Sequence, residues 1–350
     1  MNSKLALDAR RIGKKVRHPR NEMPLFVCVM ALLSVLLCWH PQVVGDTFAN
    51  GMTNTVSTRL PGNTLIFDSG EGAPTTVNFV DGAELTAVFV NNTSVANLSN
   101  GSSVSRDLNV LDNSTAHVCG GSVSLIDVGN VGHAFVDGGS IGEFGCCSLR
   151  GFGAGAITVT GGLVTNDLDD SSNRLWVGVG DSTLTVVGGM FSSGASIYAR
   201  FNSQAFIHGG HIDGVVLGVQ DDGRIILHGH SFTVAIDDDD DPSPPSFTPD
   251  VPGSGYGVIR GFSGTGTVSG TLSDGSAFAV PFFVSQTSGD GGIYLAPPAN
   301  DVPARSEACS ELNGGGASAK RVPSLSAWGA LSAVCAILII GLWPRRKSTI

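Results

Sequence analysis

Apolar positions along the middle of this chain recur in short alternating runs, each broken by glycine, and not at the 3.6-residue step of a helix. In Ile157-Thr158-Val159-Thr160 every second residue is β-branched aliphatic and the residues between are Thr, the period-two pattern of a strand with one buried face. Taking the glycine after each run as a corner gives Gly62, Gly82, Gly101, Gly120, Gly138, Gly161, Gly188, Gly209 and Gly229, at spacings of 20, 19, 19, 18, 23, 27, 21 and 20. From Gly120 to Gly209 the corner is a Gly-Gly pair.

The flanking residues test this register. Two positions before the corner stand Leu60, Val80, Ser99, Val118, Val136, Val159, Val186, Ile207 and Leu227, apolar in all but one case. Three positions after it stand Leu65, Leu85, Val104, Val123, Ile141, Val164, Phe191, Ile212 and Phe232, apolar throughout. Only 42% of the chain is apolar, so the coincidence reflects a repeat. Corner glycines supply positive φ at little cost, and inward residues stack on the same positions of neighbouring coils. A sandwich or barrel would not hold one inward pattern at fixed offsets through so many cycles.

The predicted fold is all-β: a parallel β-helix or solenoid of about nine coils over residues 46–236, a rod on the order of 40 Å long at ~4.8 Å per coil. Residues 237–256, with five consecutive Asp followed by Pro-Ser-Pro-Pro, read as a solvated linker, a weak calcium-attracting loop being the alternative. Residues 257–296 return to strands and turns, with GTGTVSGTLSDGSAFAVPFF at 264–283 reading as hairpins that cap the solenoid's end. A Pro-, Gly- and Ala-rich spacer is expected over 297–321.

Charge adds an address. Seven Lys and Arg fall in the first 23 residues and five from Lys320 onward, leaving eight Arg, no Lys and 28 acids between Pro24 and Ala319. Such a body repels phosphate polymers, which argues against nucleic acid as a partner. Apolar residues 24–39 (PLFVCVMALLSVLLCW) follow the basic start, so 1–45 reads as a signal peptide with a long basic lead, or as an uncleaved anchor. Apolar residues 327–343, closed by Arg345, Arg346 and Lys347, are about long enough for a membrane helix with its C-terminus inside.

Val322, Pro323, Ser324, Leu325, Ser326, Trp328 and Gly329 read VPSLSAWG with Ala327, ahead of that apolar span and basic terminus. This arrangement resembles the IPTL-CTERM sorting domain and, more distantly, the PEP-CTERM tail, with Ser324 where Thr is usual. The resemblance spans only residues 322–350. It implies export in a Gram-negative-type bacterium through the secretion machinery, recognition by a membrane sorting enzyme, and a place on the cell surface or outside the cell. The body also resembles the β-solenoid repeats of surface proteins with such tails.

Candidate chemistry is sparse. Enzymes on this architecture, polysaccharide lyases or hydrolases, set carboxylates with Arg or Lys on one outer face, whereas Asp81, Asp112, Asp137, Asp181, Asp221 and Asp222 fall near turns. His208 and His228 each precede a corner glycine and are weak candidates for sharing a metal ion; otherwise no cofactor is expected. Cys119, Cys146, Cys147 and Cys309 lie outside the apolar segments, and one bridge, from Cys119 to Cys146 or Cys147 in a neighbouring coil, is the pairing considered. The expected role is a non-catalytic surface or extracellular-matrix protein. The alternatives are a carbohydrate-active enzyme and an adhesin for glycans or protein, with extracellular polysaccharide the candidate partner.

Overall fold

The computed structural model describes residues 44–314 except 70–71, 143–146, 166–173, 193–194, 238–244, 251–254, 262 and 286–289. The terminal apolar segments, the residues of the VPSLSAWG motif and most of the Asp run lie outside the described residues, among which no helix is long and apolar enough to cross a membrane.

The described residues form a two-faced parallel β-solenoid. One face stacks β2 (Thr53–Val56), β4 (Thr76–Phe79), β6 (Val95–Leu98), β8 (Thr115–Val118), β10 (His133–Val136), β13 (Ala156–Val159), β16 (Thr183–Val186), β19 (Gln204–Ile207) and the start of β21 (Arg224–Ile236). The other stacks β1 (Val44–Phe48), β3 (Leu60–Ile66), β5 (Glu84–Val90), β7 (Ser103–Val110), β9 (Ser122–Val128), β12 (Cys147–Phe152), β15 (Arg174–Val179), β18 (Ser196–Arg200) and β20 (Val216–Gln220). In the later coils β11 (Ser140–Ile141), β14 (Leu163–Val164) and β17 (Met190–Phe191) continue the ladder beside the corner. The stack makes about eight turns between β2 and β21, near the nine coils expected from the glycines.

The inward column of the first face is Phe79, Leu98, Val118, Val136, Val159, Val186, Ile207 and Leu227, all fully buried. Burying each such side chain contributes about 1.5–3 kcal/mol. Two members correct the sequence alignment: Phe79 and Leu98 hold the inward place, not Val80 and Ser99. Four residues separate β6 from β7, whereas three separate β8 from β9. Ser99, the one polar exception in the alignment, belongs to the longer corner, where its hydroxyl donates to Phe79 O.

The Gly-Gly pair is what permits the shorter corner. In each pair the second glycine carries the positive φ, as at Gly139 (+81°), Gly162 (+84°) and Gly189 (+92°). The first meets a different demand: a Cβ on Gly138 would lie 2.7 Å from Cys119 O, and one on Gly161 2.6 Å from Asp137 O. Two assigned corners differ. Leu60 pairs with Leu85 and Asn63 with Ala87, so Gly62 stands inside β3 at a bulge, and Leu60 takes the place given to Leu65. Gly229 lies within β21 opposite Leu272, where the strand passes from one face to the other without a break.

The second corner escapes a search for glycine. Three residues ahead of each first-face strand from β6 to β21 stand Asn92, Asp112, Asn130, Gly153, Gly180, Phe201 and Asp221, all with φ between +54° and +74°. Asn and Asp tolerate this left-handed conformation because their short side chains bond locally. They also bond between coils: Asn92 Nδ2 donates to Asp68 and Asn130 Nδ2 to Asp112, at 2.7 and 2.9 Å.

The C-terminal strands finish both faces. The hairpin of β24 (Ser263–Leu272) and β25 (Ala277–Ser285) is inserted between β20 and the far half of β21, with β25 parallel to β20 and β24 antiparallel to both its neighbours. On the first face β26 (Gly292–Ala296) continues the stack in parallel, followed by antiparallel β23 (Gly257–Arg260) and β22 (Ser246–Pro249). Residues 246–249, placed in the linker by composition, therefore belong to the cap. The expected spacer is also structured as far as helix α1 (Glu307–Gly314).

Candidate functional site

Immediately before the Gly-Gly pairs, one residue per coil forms a column: Cys119, Asp137, Thr160, Val187 and His208, followed by His228 ahead of Gly229. The segment after β26 runs back along this column. It starts where His228 Nδ1–H donates to Pro297 O at 3.0 Å and ends where Cys119 is bridged to Cys309 of α1. Between them Arg305 Nη2 donates to Asp137 O at 2.6 Å, and Ser306 N–H donates to Asp137 Oδ2 at 3.2 Å. Ser306 Oγ, just ahead of α1, lies 2.7 Å from His117 Nδ1.

The bridge corrects the pairing considered from sequence. Cys119 joins a cysteine 190 residues away, with a Cα–Cα distance of 5.0 Å, and Cys147 is buried in β12. Asp137, 1% exposed, has its carboxylate satisfied by Ser306 N–H and the Thr160 hydroxyl. A cavity of about 120 Å³ opens beside the bridge, lined by Cys119, Asp137, Arg305, Cys309 and Ser310. Burial lowers the pKa of His117, while the nearby Asp137 charge partly opposes the shift.

At the other end of the column, His208 and His228 stack with ring centroids 4.4 Å apart and planes 9° from parallel. The pairing inferred from sequence is present, but with the rings stacked in parallel planes the in-plane lone pairs lie in separate layers and do not aim at a common point about 2 Å from both. His208 Nδ1 is buried with no partner; as a bare lone pair it is least costly, which places the ring proton on Nε2. Burial, reinforced by His228, lowers the His208 pKa to about 4. The tip of the β24–β25 hairpin covers this end: Gly210 N–H donates to Asp274 Oδ2, and Ser273 N–H and Oγ–H donate to His228 O. Among the described residues no group of three or more His, Cys, Asp and Glu is placed to hold a metal ion.

A second cluster lies on the outer surface of the other face. Asp127 (β9) pairs in register with Arg150 (β12), Arg150 with Val177 (β15), Val177 with Tyr198 (β18), Tyr198 with Gly218 (β20) and Gly218 with Phe283 (β25). Arg150 forks onto Asp127, with Nε donating at 2.6 Å to Oδ1 and Nη2 to Oδ2. Burial raises the Asp127 pKa and the Arg150 hydrogen bond opposes the rise. Arg174 and Arg200 place their guanidinium carbons 5.0 and 5.7 Å from the centre of the Tyr198 ring. Tyr198 and Phe283 tilt together at 5.3 Å across Gly218, where a Cβ would lie 2.3 Å from Phe283 and 2.7 Å from Tyr198. Sequence reasoning missed this cluster, because its partners in adjacent coils stand 20 or more residues apart and only the coil register brings them together.

No known protein family, curated protein or solved structure matches the chain.

Proposed function

We propose that this chain is an exported β-solenoid whose rigid stack serves as a non-catalytic scaffold at the cell surface or in the extracellular matrix, sorted through its C-terminal signal. The observation that carries this reading is the Cys119–Cys309 bridge. Structural disulfides form and persist in oxidising compartments, and this one fastens the segment from which the sorting motif follows. The basic, apolar start and the VPSLSAWG tail with its apolar span and basic terminus supply the route out. The body suits a scaffold: eight turns of stacked aliphatic columns, closed at one end by antiparallel strands that protect a sheet edge.

The test is export itself. In a bacterial host carrying the cognate sorting machinery, the full chain is expected outside the inner membrane with Cys119 and Cys309 resistant to thiol alkylation. Deleting residues 322–350 shifts the ratio of surface-held to released protein. Both thiols reacting in the native host, or a distribution unchanged by the deletion, overturns the reading. Retained export with release of sugar from an acidic polysaccharide would replace the scaffold by an enzyme.

A further inference from the structure

The Cys119–Cys309 bridge passes over nearer cysteines. Outside the apolar segments Cys146 and Cys147 follow Cys119 by 27 and 28 residues, yet the structure joins Cys119 to a cysteine 190 residues away. In an unfolded chain the frequency with which two residues meet falls as the 3/2 power of the loop between them, so Cys119 meets Cys146 or Cys147 on the order of 20-fold more often than Cys309. Order of synthesis widens the gap: at roughly 5–20 residues per second Cys309 follows Cys147 after on the order of ten seconds, and disulfides can form within seconds. Coil stacking opposes the short bridge. In the folded coils the neighbour of Cys119 is Asp137: Asp137 N–H and Gly138 N–H both donate to Val118 O, and the Gly138 backbone lies against Cys119 O. Cys147 opens β12 on the other face and is 3% exposed. Leu149, two residues on, pairs with Ile126, and β9 runs extended from Ser122 to that point, away from the Cys119 corner. A disulfide holds its two Cα atoms within about 7 Å, so a Cys119–Cys147 bridge requires the coils from β8 to β12 to come apart.

We propose that this chain folds with a thiol–disulfide isomerase as its partner, an enzyme whose reactive thiolate converts a bridge from Cys119 to Cys146 or Cys147 into Cys119–Cys309. The oxidising compartment rests on the exported reading; the order of the cysteines does not. A disulfide-bearing oxidant first takes two electrons and two protons from Cys119 and its near neighbour, and is itself reduced to a dithiol. The isomerase thiolate then attacks Cys119 Sγ. As that bond forms the bond to the near cysteine breaks, and the near cysteine leaves as a thiolate and takes up a proton. The Cys309 thiolate displaces the isomerase from Cys119 Sγ, which closes the native bridge and returns the isomerase thiolate, with no net oxidation in either exchange. Folding gives the exchange its direction. Cys147 withdraws into the core of β12. Ser306, bonded to Asp137 through its N–H and to His117 through its hydroxyl, then holds the start of α1 so that Cys309 stands beside Cys119.

The experiment is oxidative refolding of the full chain. The purified protein is reduced, unfolded and returned to detergent and a glutathione redox buffer, with and without a catalytic amount of protein disulfide isomerase. Trypsin reads the pairing, because residues 107–150 carry Cys119, Cys146 and Cys147 on one peptide and residues 306–320 carry Cys309 on another. Without isomerase the expected early product is the 107–150 peptide closed on itself, lighter by two hydrogens and with Cys119 protected from alkylation. Isomerase speeds the appearance of the link to 306–320 by about tenfold or more. Cys146→Ser/Cys147→Ser forms that link at the assisted rate with no isomerase present. If a serine in the core of β12 prevents folding by its melting curve, Cys146→Ser/Cys147→Ala carries the test. The native link forming first in the wild type, a rate unmoved by isomerase, or a folded double variant that needs isomerase as much as the wild type each overturns the proposal. The measurement is made outside the cell, so its failure leaves the export reading standing, and failed export leaves its result standing.

Discussion

His208 and His228 lie face to face at 4.4 Å, one coil apart, with the buried Nδ1 of His208 left without a partner. Because the folded-state pKa of His208 falls to about 4 from an ordinary value near 6.5, the unfolded chain binds more protons at His208 across that window. Stability is therefore complete above about pH 6.5 and declines as pH falls towards 4. The expected loss is on the order of 3 kcal/mol. Thermal unfolding from pH 7 to 4 measures it, and His208→Gln should flatten the slope; an unchanged slope would rule out this histidine as its source.

The same stacking predicts the outcome of metal addition. Zinc or nickel at modest excess should leave the melting temperature of the wild type and of His208→Ala equally unmoved. A rise confined to the wild type would show that the rings turn to chelate.

Reduction should loosen the solenoid's flank without dismantling its coils. Closing a loop of 190 residues restricts the unfolded chain by about 5 kcal/mol on the chain-entropy account. Cys119→Ser/Cys309→Ser should match the reduced wild type in melting temperature and leave far-ultraviolet circular dichroism β-rich. Loss of β signal in the double variant would mean that the bridge holds the coils themselves.

A glycine in the β24–β25 turn and one at a coil corner should answer substitution differently. A Cβ on Gly275 meets nothing within 4 Å, so Gly275→Ala pays only for φ +88°, about 1–2 kcal/mol. Gly138→Ala has no φ penalty but puts its Cβ 2.7 Å from Cys119 O, which requires the neighbouring coil's backbone to move. Urea midpoints should show the larger loss for Gly138→Ala, and the reverse order would refute close approach as the reason for the first glycine of the pair.

Phe201 is the strained member of the second corner, a bulky residue at φ +54° where other coils use Asn, Asp or Gly. Phe201→Asn should stabilise the protein by up to about 1 kcal/mol, less whatever is lost with the Arg200 contact. A lower melting temperature would show that this contact outweighs the backbone strain.

Much of the fold was written in the local pattern. Period-two alternation and the Gly-Gly pairs place strands and one corner from Gly120 to Gly209, since positive φ and close backbone approach both select glycine and leave a visible mark. The second corner was hidden because its φ demand is met by Asn, Asp and even Phe, which carry no single signature. Gly62 misled because a glycine at a strand bulge looks the same in sequence as one at a corner. The one-residue difference between four- and three-residue corners likewise shifted Val80 and Ser99 out of register.

What the sequence determined alone is the inward and outward parity of the strands beside the Gly-Gly corners from Gly120 to Gly209, set by burial of alternate side chains, and the separation of the acidic body from basic ends. Only the tertiary structure decided which coils lie beside which and where the C-terminal segment returns. Those relations depend on stacking over 18 to 190 residues. No local propensity could place Cys309 against Cys119, or Arg174 over the ring of Tyr198.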